Sequence, residues 1–198
     1  MAEGTDRAAD AATQRDAAEL TRLAADVDPK VRAVAVATLV RNAPRADAAP
    51  VWVRAAADPD PGVRRRAAEV APRLGRSARI GSLLTLLGDT DAWVAEAAAF
   101  AIGEHPRPTP RTIEALQAAA AHHEDPLVRE AAVAALGAIG DPATLPVVLA
   151  ACDDKPAIRR RAVLALAAFD GDEVEARLRA ALEDNDWQTR QAAEDLLA

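Results

Sequence analysis

A chain of 198 residues that is 51% hydrophobic but only 3% aromatic, with no Tyr, draws its apolar surface mainly from Ala, Leu, Val and Ile. These residues suit closely packed helices, because Ala loses no side-chain entropy in a helix and lets neighbouring backbones approach. The formal net charge of -7 argues against a nucleic-acid partner, since an acidic surface gains nothing from releasing the counterions of a phosphate backbone. The single cysteine, Cys152, excludes an intramolecular disulfide and a metal site built from several thiolates.

The N-terminal segment, residues 1–14, is rich in Ala and Asp and has no apolar core. We therefore expect a flexible segment that is neither a signal peptide nor a membrane-spanning helix. A cytoplasmic location is the corresponding expectation.

The rest of the chain, residues 15–198, contains one motif six times, with an Arg position at residues 32, 64, 95, 129, 159 and 190 that Ala95 occupies in the third copy. Without exception, an Ala follows three residues later, at Ala35, Ala67, Ala98, Ala132, Ala162 and Ala193. Self-similarity with a period of about 31 residues is typical of repeat architectures.

Each motif predicts the start of a helix. An Asp four residues before most of the Arg positions is suited to N-capping, and Pro follows at or near the first helical position, where its missing N–H costs nothing. Apolar residues then recur at helical spacing, as in Val128, Ala132 and Leu136, and Gly103 is among the glycines expected to cap the helix ends. Second helices are predicted between the motif helices, at about 15–25, 50–57, 77–87, 110–122, 143–151 and 173–182.

These elements predict an all-α fold, in which helical hairpins too small to be stable alone are stacked into one continuous α-solenoid. We expect a single domain over residues 15–198. Its units are predicted at about 15–45, 46–76, 77–108, 109–140, 141–171 and 172–198.

The pattern Asp-Pro-x-Val-Arg-x-x-Ala-x-x-x-Leu resembles the short HEAT-like repeats first recognised in phycobilin lyases. This resemblance implies a right-handed superhelix of six HEAT-like hairpins, with the motif helices on its concave surface. It also implies a ladder between Asp and Arg of neighbouring units. Structural roles are therefore expected first for the motif arginines Arg32, Arg64, Arg129, Arg159 and Arg190.

Proteins with this type of repeat also include enzymes. Deoxyhypusine hydroxylase places His-Glu pairs on its motif helices, and this chain has no His after its motif arginines. The three histidines His105, His122 and His123 fall at opposite edges of the predicted stack, so we expect no joint metal site. A DNA glycosylase or a chromophore lyase acting on a ligand in the concave groove is the alternative; we favour a chain that is not an enzyme and has no cofactor.

On the motif helices, the positions one and five residues after the Arg are predicted to face outward. In the second to fifth units they hold Arg65 and Glu69, Glu96 and Phe100, Glu130 and Ala134, and Arg160 and Leu164. The resulting order of positive, negative, negative and positive charge suits a protein partner better than a polyanion. Arg160 and Arg161 have no acidic residue four positions later, so we expect them to contact an acidic patch on a partner.

The third unit departs most from the motif, because Ala92 replaces the Pro and Ala95 replaces the Arg. Trp93 and Phe100, seven residues apart, fall on one side of its helix with Glu96 between them. Large aromatic side chains at the centre of a groove are typical of binding hot spots. The alternative is that both rings fill space between neighbouring units.

These patterns predict a scaffold or adaptor that binds a protein or peptide on the concave surface. The predicted contact residues are Arg65, Glu69, Trp93, Glu96, Phe100, Glu130, Arg160, Arg161 and Leu164. Because Leu196 and Leu197 lie on the last motif helix, we also expect either weak end-to-end association or a partner that covers this end.

Overall fold

The computed structural model describes residues 16–198, which form helices joined by short turns without any strand. The predicted segment 1–14 lies outside the described residues. The first helix, α1, includes residues 16–23. The others are α2 (Pro29–Asn42), α3 (Arg45–Ala55), α4 (Pro61–Leu74), α5 (Ile80–Leu87), α6 (Ala92–Gly103), α7 (Pro110–His122), α8 (Pro126–Ile139), α9 (Leu145–Ala151), α10 (Pro156–Ala165), α11 (Asp172–Ala181) and α12 (Trp187–Leu197).

Consecutive helices pair into hairpins, and the hairpins stack in chain order. Each even-numbered helix, which carries the motif, packs against the even-numbered helix of the next hairpin, from α2 to α12. The odd-numbered helices form a second layer, in which α7 contacts both α5 and α9. This two-layer arrangement confirms the predicted all-α class and α-solenoid. No helix in the described part of the chain is long and apolar enough to cross a membrane.

The motif helices begin where the sequence predicts, because the motif aspartates cap them. Five motif carboxylates accept hydrogen bonds from backbone N–H groups in the first turn of the helix that follows, namely those of Asp28, Asp60, Asp91, Asp125 and Asp186. Proline occupies the first position of α2, α4, α8 and α10. Each carboxylate satisfies donors that have no partner within the helix and favours the positive end of the helix dipole.

The second helices match the sequence prediction less closely. α3 begins at Arg45, five residues before the predicted start at Pro50, and therefore contains that proline. Both Pro50 and Ala46 are exposed, so water can satisfy the Ala46 carbonyl that has lost its helical donor. α5 begins at Ile80, because a short 3-10 turn occupies residues 75–77.

Small residues let the motif helices approach closely on both sides of α8. A Cβ atom on Gly103, the last residue of α6, would lie 2.9 Å from the Cα atom of Ala135 in α8. A Cβ atom on Gly137 would lie 2.6 Å from the Cβ atom of Ala165 in α10. Gly103 therefore serves packing, and the prediction that it is a helix cap is wrong because Glu104 occupies that position.

Arginine–aspartate pairs join successive repeats on the side where the motif helices begin. In each pair the guanidinium Nε and Nη2 atoms donate to the two carboxylate oxygens over 2.6–3.0 Å. The complete pairs are Arg32–Asp58, Arg64–Asp89, Arg129–Asp154 and Arg159–Asp184. They form the ladder that the resemblance implies. Its carboxylates lie in the turn before each motif helix and are distinct from the capping aspartates.

The ladder is interrupted between α6 and α8. Ala95 carries no guanidinium, and the equivalent of the ladder aspartate in the next turn is His123. The His123 Nδ1 atom accepts a hydrogen bond of 3.1 Å from the Asp125 N–H, just as the Asp58 and Asp184 carboxylates accept from the residue two positions on. His123 therefore keeps the shape of the turn while the cross-link between the two repeats is lost.

Candidate functional site

The predicted hot-spot residues are exposed on the face that the motif helices present. Trp93 is 54% exposed and Phe100 is 56% exposed, and both project from α6. Neither ring is enclosed between repeats, in contrast to Trp52, which is 0% exposed. We use the term motif surface for the partly or fully exposed residues of α4, α6, α8 and α10 on this face, namely Arg65, Glu69, Trp93, Glu96, Phe100, Leu127, Glu130, Ala131, Ala134, Ala138, Arg161 and Leu164.

Arg65 connects α4 to α6 on the motif surface. Its guanidinium carbon lies 5.1 Å from the centroid of the Trp93 ring, a distance at which a cation is attracted to the face of an aromatic ring. Its Nε atom donates to Glu69 over 2.9 Å, and Arg66 donates to the other oxygen of the same carboxylate over 2.6 Å. The structure thus combines an arginine, an aromatic ring and a glutamate at one position.

A groove with a volume of about 270 Å³ runs between α6 and α8, and we call it the central groove. Phe100, Leu127 and a row of small residues form its apolar walls. Three carboxylates, those of Glu96, Glu104 and Glu130, lie along it, against the single guanidinium of Arg161. Its full lining is Glu96, Phe100, Gly103, Glu104, Leu127, Glu130, Ala131, Ala134, Ala135, Ala138 and Arg161.

The carboxylates of the central groove are poorly neutralised. Partial burial raises the pKa of Glu96, and the neighbouring charges of Glu69 and Glu130 add to this effect while Arg65 opposes it. Within the described residues, Glu96 forms neither an ion pair nor a side-chain hydrogen bond. In residues 16–198, Glu130 forms a single salt bridge, a long contact of 3.5 Å with Arg161. The groove therefore has a negative potential that the protein itself does little to offset.

Arg161 also lies at the edge of a second, more open groove between α8 and α10. This groove has a volume of about 320 Å³ and includes the exposed Leu164, another predicted contact residue. Ala134 and Ala138 line both grooves. The structure therefore places eight of the nine predicted contact residues along one continuous path from α4 to α10.

The ninth residue, Arg160, lies at the same repeat position as Arg65 and donates a hydrogen bond to Gln188 in α12, which occupies the position equivalent to Trp93. Arg161 donates to Glu130, which belongs to the preceding repeat. Both arginines therefore have partners on neighbouring repeats, and their contact with an acidic patch on a binding partner stays a prediction.

Several residues of the central groove were not predicted from the sequence. The wall that α8 provides consists of Leu127, Ala131, Ala134 and Ala138. Their spacing of four, three and four residues places them on one helix face, so the pattern was present in the sequence. Of these four, the spacing from the Arg position predicts only Ala134 to face outward, because Leu127 precedes the Arg.

Two of the three histidines are buried or half-buried, and His122 is exposed. His105 is buried, with its Nδ1 atom 3.3 Å from the backbone nitrogen of Arg107, and within the described residues its Nε2 atom has no hydrogen-bond partner. His123 is half-buried in the turn before α8. No group of three or more His, Cys, Asp or Glu residues in residues 16–198 is arranged to hold a metal ion.

Family models match two adjoining parts of this stack. Residues 80–157 match the model described as HEAT repeats, and residues 158–184 match the model of the PBS lyase HEAT-like repeat. Among curated proteins, none is significantly similar in sequence.

Solved structures with the same architecture come from natural and designed proteins. The complex of CpcE and CpcF of phycocyanin lyase from Nostoc sp. PCC7120 is similar with a TM-score of 0.63 and 21% identity, over 77% of this chain and 99% of that chain. A designed armadillo repeat protein in complex with the peptide (KR)4 has a TM-score of 0.62 and 15% identity, over 90% and 97% of the two chains. An engineered protein has a TM-score of 0.68 and 18% identity, over 92% and 97%.

At these levels of identity the likenesses concern the fold. The repeated motif and the matches of the two family models, which together cover residues 80–184, identify the chain as a HEAT-like repeat protein.

Proposed function

We propose that the chain is a non-catalytic scaffold or adaptor of the cytoplasm that binds a protein through a peptide-like segment along the motif surface. The observation that carries this proposal is the exposure of Trp93 and Phe100 on α6, at the centre of the stack. A soluble monomer gains nothing from two exposed aromatic rings beside an open apolar groove, whereas such rings are enriched where partners bind.

The elongated shape of the motif surface fits an extended peptide segment better than a compact ligand. The path from Arg65 to Leu164 crosses four motif helices, and adjacent packed helices are separated by about 8–10 Å. Three such steps give about 24–30 Å, which an extended peptide covers with about eight residues. Among proteins of similar fold, the designed armadillo repeat protein was solved with the peptide (KR)4, and the phycocyanin lyase subunits CpcE and CpcF form a complex with each other.

A displayed library of random dodecapeptides tests the proposal even though the partner is unidentified. We expect the wild-type chain to enrich peptides that a Phe100→Ala variant does not retain, because removing the ring opens the central groove. Leu145→Ala, on α9 outside the motif surface, is the matched control and should retain the same peptides. A library that yields no peptide dependent on Phe100 or Trp93 would contradict the proposal.

The alternative of a lyase or other enzyme acting on a ligand in the groove predicts a different observation. Protein purified from its native source would then carry a stoichiometric chromophore or metal. An absorbance spectrum and a metal analysis distinguish the two functions.

A further inference from the structure

Two places on the motif surface combine an aromatic ring with carboxylates, and in the first an arginine of the chain lies against the ring. There the Arg65 guanidinium lies over the Trp93 ring and is bound by Glu69. The second is the central groove, where Phe100 provides the ring and Glu96 and Glu130 provide the carboxylates, although these residues do not occupy the same repeat positions as Trp93 and Glu69. Among the described residues that line this groove, Arg161 is the only arginine, and it reaches Glu130 over 3.5 Å.

We propose that the central groove receives an arginine side chain of the bound segment, with its guanidinium between Glu96 and Glu130 and its aliphatic stem against Phe100. This inference rests on the proposed function and specifies the chemistry of the partner. The guanidinium is planar and weakly hydrated, so it can stack on an aromatic ring while it donates hydrogen bonds to carboxylates at its edge. Arg65 on Trp93 shows both contacts at the neighbouring position.

The size and charge of the groove suit this occupant. Its volume of about 270 Å³ accommodates one long side chain, and the alanines of α8 leave room along the wall opposite Phe100. An acidic segment would face three carboxylates with only Arg161 to attract it. An entirely apolar segment would leave Glu96 and Glu130 further desolvated without a hydrogen-bond donor, which is costly.

Labelled octapeptides of alternating Ala and Arg test the inference by fluorescence anisotropy at low ionic strength. The matched control peptide carries citrulline at each Arg position, which keeps the shape of the side chain and removes its charge. We expect the arginine peptide to bind at least about tenfold more tightly than the citrulline peptide, and the difference to shrink as salt screens the groove.

Two substitutions in the chain should move affinity in opposite directions. Glu96→Gln should weaken binding of the arginine peptide by about tenfold, because it removes the charge but keeps the shape. Arg161→Gln should strengthen it, because it frees Glu130 from an internal competitor. Glu114→Gln, exposed on α7 in the other layer, is the matched control and should leave the affinity unchanged. A gain of affinity in Arg161→Gln cannot arise from loss of folding.

Failure of this inference is distinguishable from failure of the proposed function. Equal affinity for the arginine and citrulline peptides, or unchanged affinity in Glu96→Gln, would overturn the arginine site. The arginine site would also be overturned if the random library yielded groove-dependent peptides that contain no arginine. The scaffold function would stand in that case. If no peptide depends on Phe100 or Trp93, both proposals fail.

Discussion

Three tryptophans occupy three environments in this chain, and they differ in what their removal should cost. Trp52 is 0% exposed and donates from its indole nitrogen to the Ala67 carbonyl oxygen over 2.7 Å, so it joins α3 to α4 inside the core. Trp93 is exposed on the motif surface, and Trp187 is 64% exposed at the start of α12. The same side chain therefore serves packing at one position and remains available for contact at the others.

We predict that Trp52→Ala lowers the free energy of unfolding by about 3–5 kcal/mol, because it leaves a cavity and removes the buried hydrogen bond to the Ala67 carbonyl. Trp93→Ala should cost about 1 kcal/mol or less, since it loses mainly the contact with Arg65. Trp187→Ala is the exposed control away from the groove. Urea unfolding followed by circular dichroism measures all three. A loss of about 3 kcal/mol or more in Trp93→Ala would assign that ring to packing.

Glu96 gives a prediction about stability that is independent of any partner. Its raised pKa, caused first by burial, means that the folded state disfavours the charged carboxylate. Glu96→Gln should therefore raise the melting temperature at neutral pH by about 1–2 °C, the effect of a few tenths of a kcal/mol in a domain of this size. The gain should vanish below about pH 4, where the wild-type carboxyl is protonated in both states. A lower melting temperature at neutral pH would contradict it.

Sequence reasoning at the residue scale succeeded where a side chain acts within its own helix. The exposure of Trp93 and Phe100 follows from helical spacing alone. It did not identify the contacts of Arg160 and Arg161 within the chain, because Gln188 and Glu130 lie on other repeats. A contact between repeats depends on the rise and rotation from one hairpin to the next, which the spacing of the motif does not provide.

At the scale of helices, the ladder between repeats makes the fold sensitive to acid. The Arg64 guanidinium holds the pKa of Asp89 below its usual value, and Arg129 and Arg159 do the same for Asp154 and Asp184. A depressed carboxyl pKa stabilises the fold above the unfolded-state pKa and loses that contribution as the pH falls through the folded-state value. The stack should therefore weaken between about pH 5 and pH 2.

We predict that Asp89→Asn lowers the free energy of unfolding at neutral pH by about 2 kcal/mol, between the values typical of exposed and of buried ion pairs, since the pair is largely but not fully buried. Its stability should also fall less steeply in acid than that of the wild type. Asp47→Asn, an exposed residue of α3, is the control. Thermal melts across this pH range measure both effects. If the melting temperature of Asp89→Asn fell with pH in parallel with that of the wild type, the ladder would not be the cause of the acid sensitivity.

At the scale of helices, the sequence was most informative for the motif helices, which combine a capping Asp, an N-terminal Pro and a regular apolar face. The second helices vary more, because they lack a repeated cap. α3 extends through Pro50, and α5 is shortened to Ile80–Leu87 by the turn before it. The sequence shows one side of the interruption of the ladder, namely Ala95 in place of the motif Arg. The matching change to His123 could not be recognised until the structure showed which aspartates accept the guanidinium groups.

For the whole molecule, two side chains of α12 bear on association. Arg190 donates to the backbone carbonyls of Asp184 and Asn185, but among the described residues no carboxylate pairs with its guanidinium as in the other ladder arginines. Leu197 is exposed on the same helix, while Leu196 packs partly against the core. We predict weak, concentration-dependent association of the 198-residue chain through this end. Arg190→Ala with Leu197→Ser should reduce it, and light scattering that shows a strict monomer at high concentration would count against it.

The missing cross-link between α6 and α8 also has a mechanical consequence. The C-terminal end of α6 approaches α8 closely at Gly103 and Ala135, whereas no ion pair among the described residues joins its N-terminal end at Ala95 to the turn containing His123. Packing contacts alone therefore hold the two helices together at that end, where Val94 and Ala95 are fully buried. The width of the central groove is set there by side-chain volume and not by an ion pair.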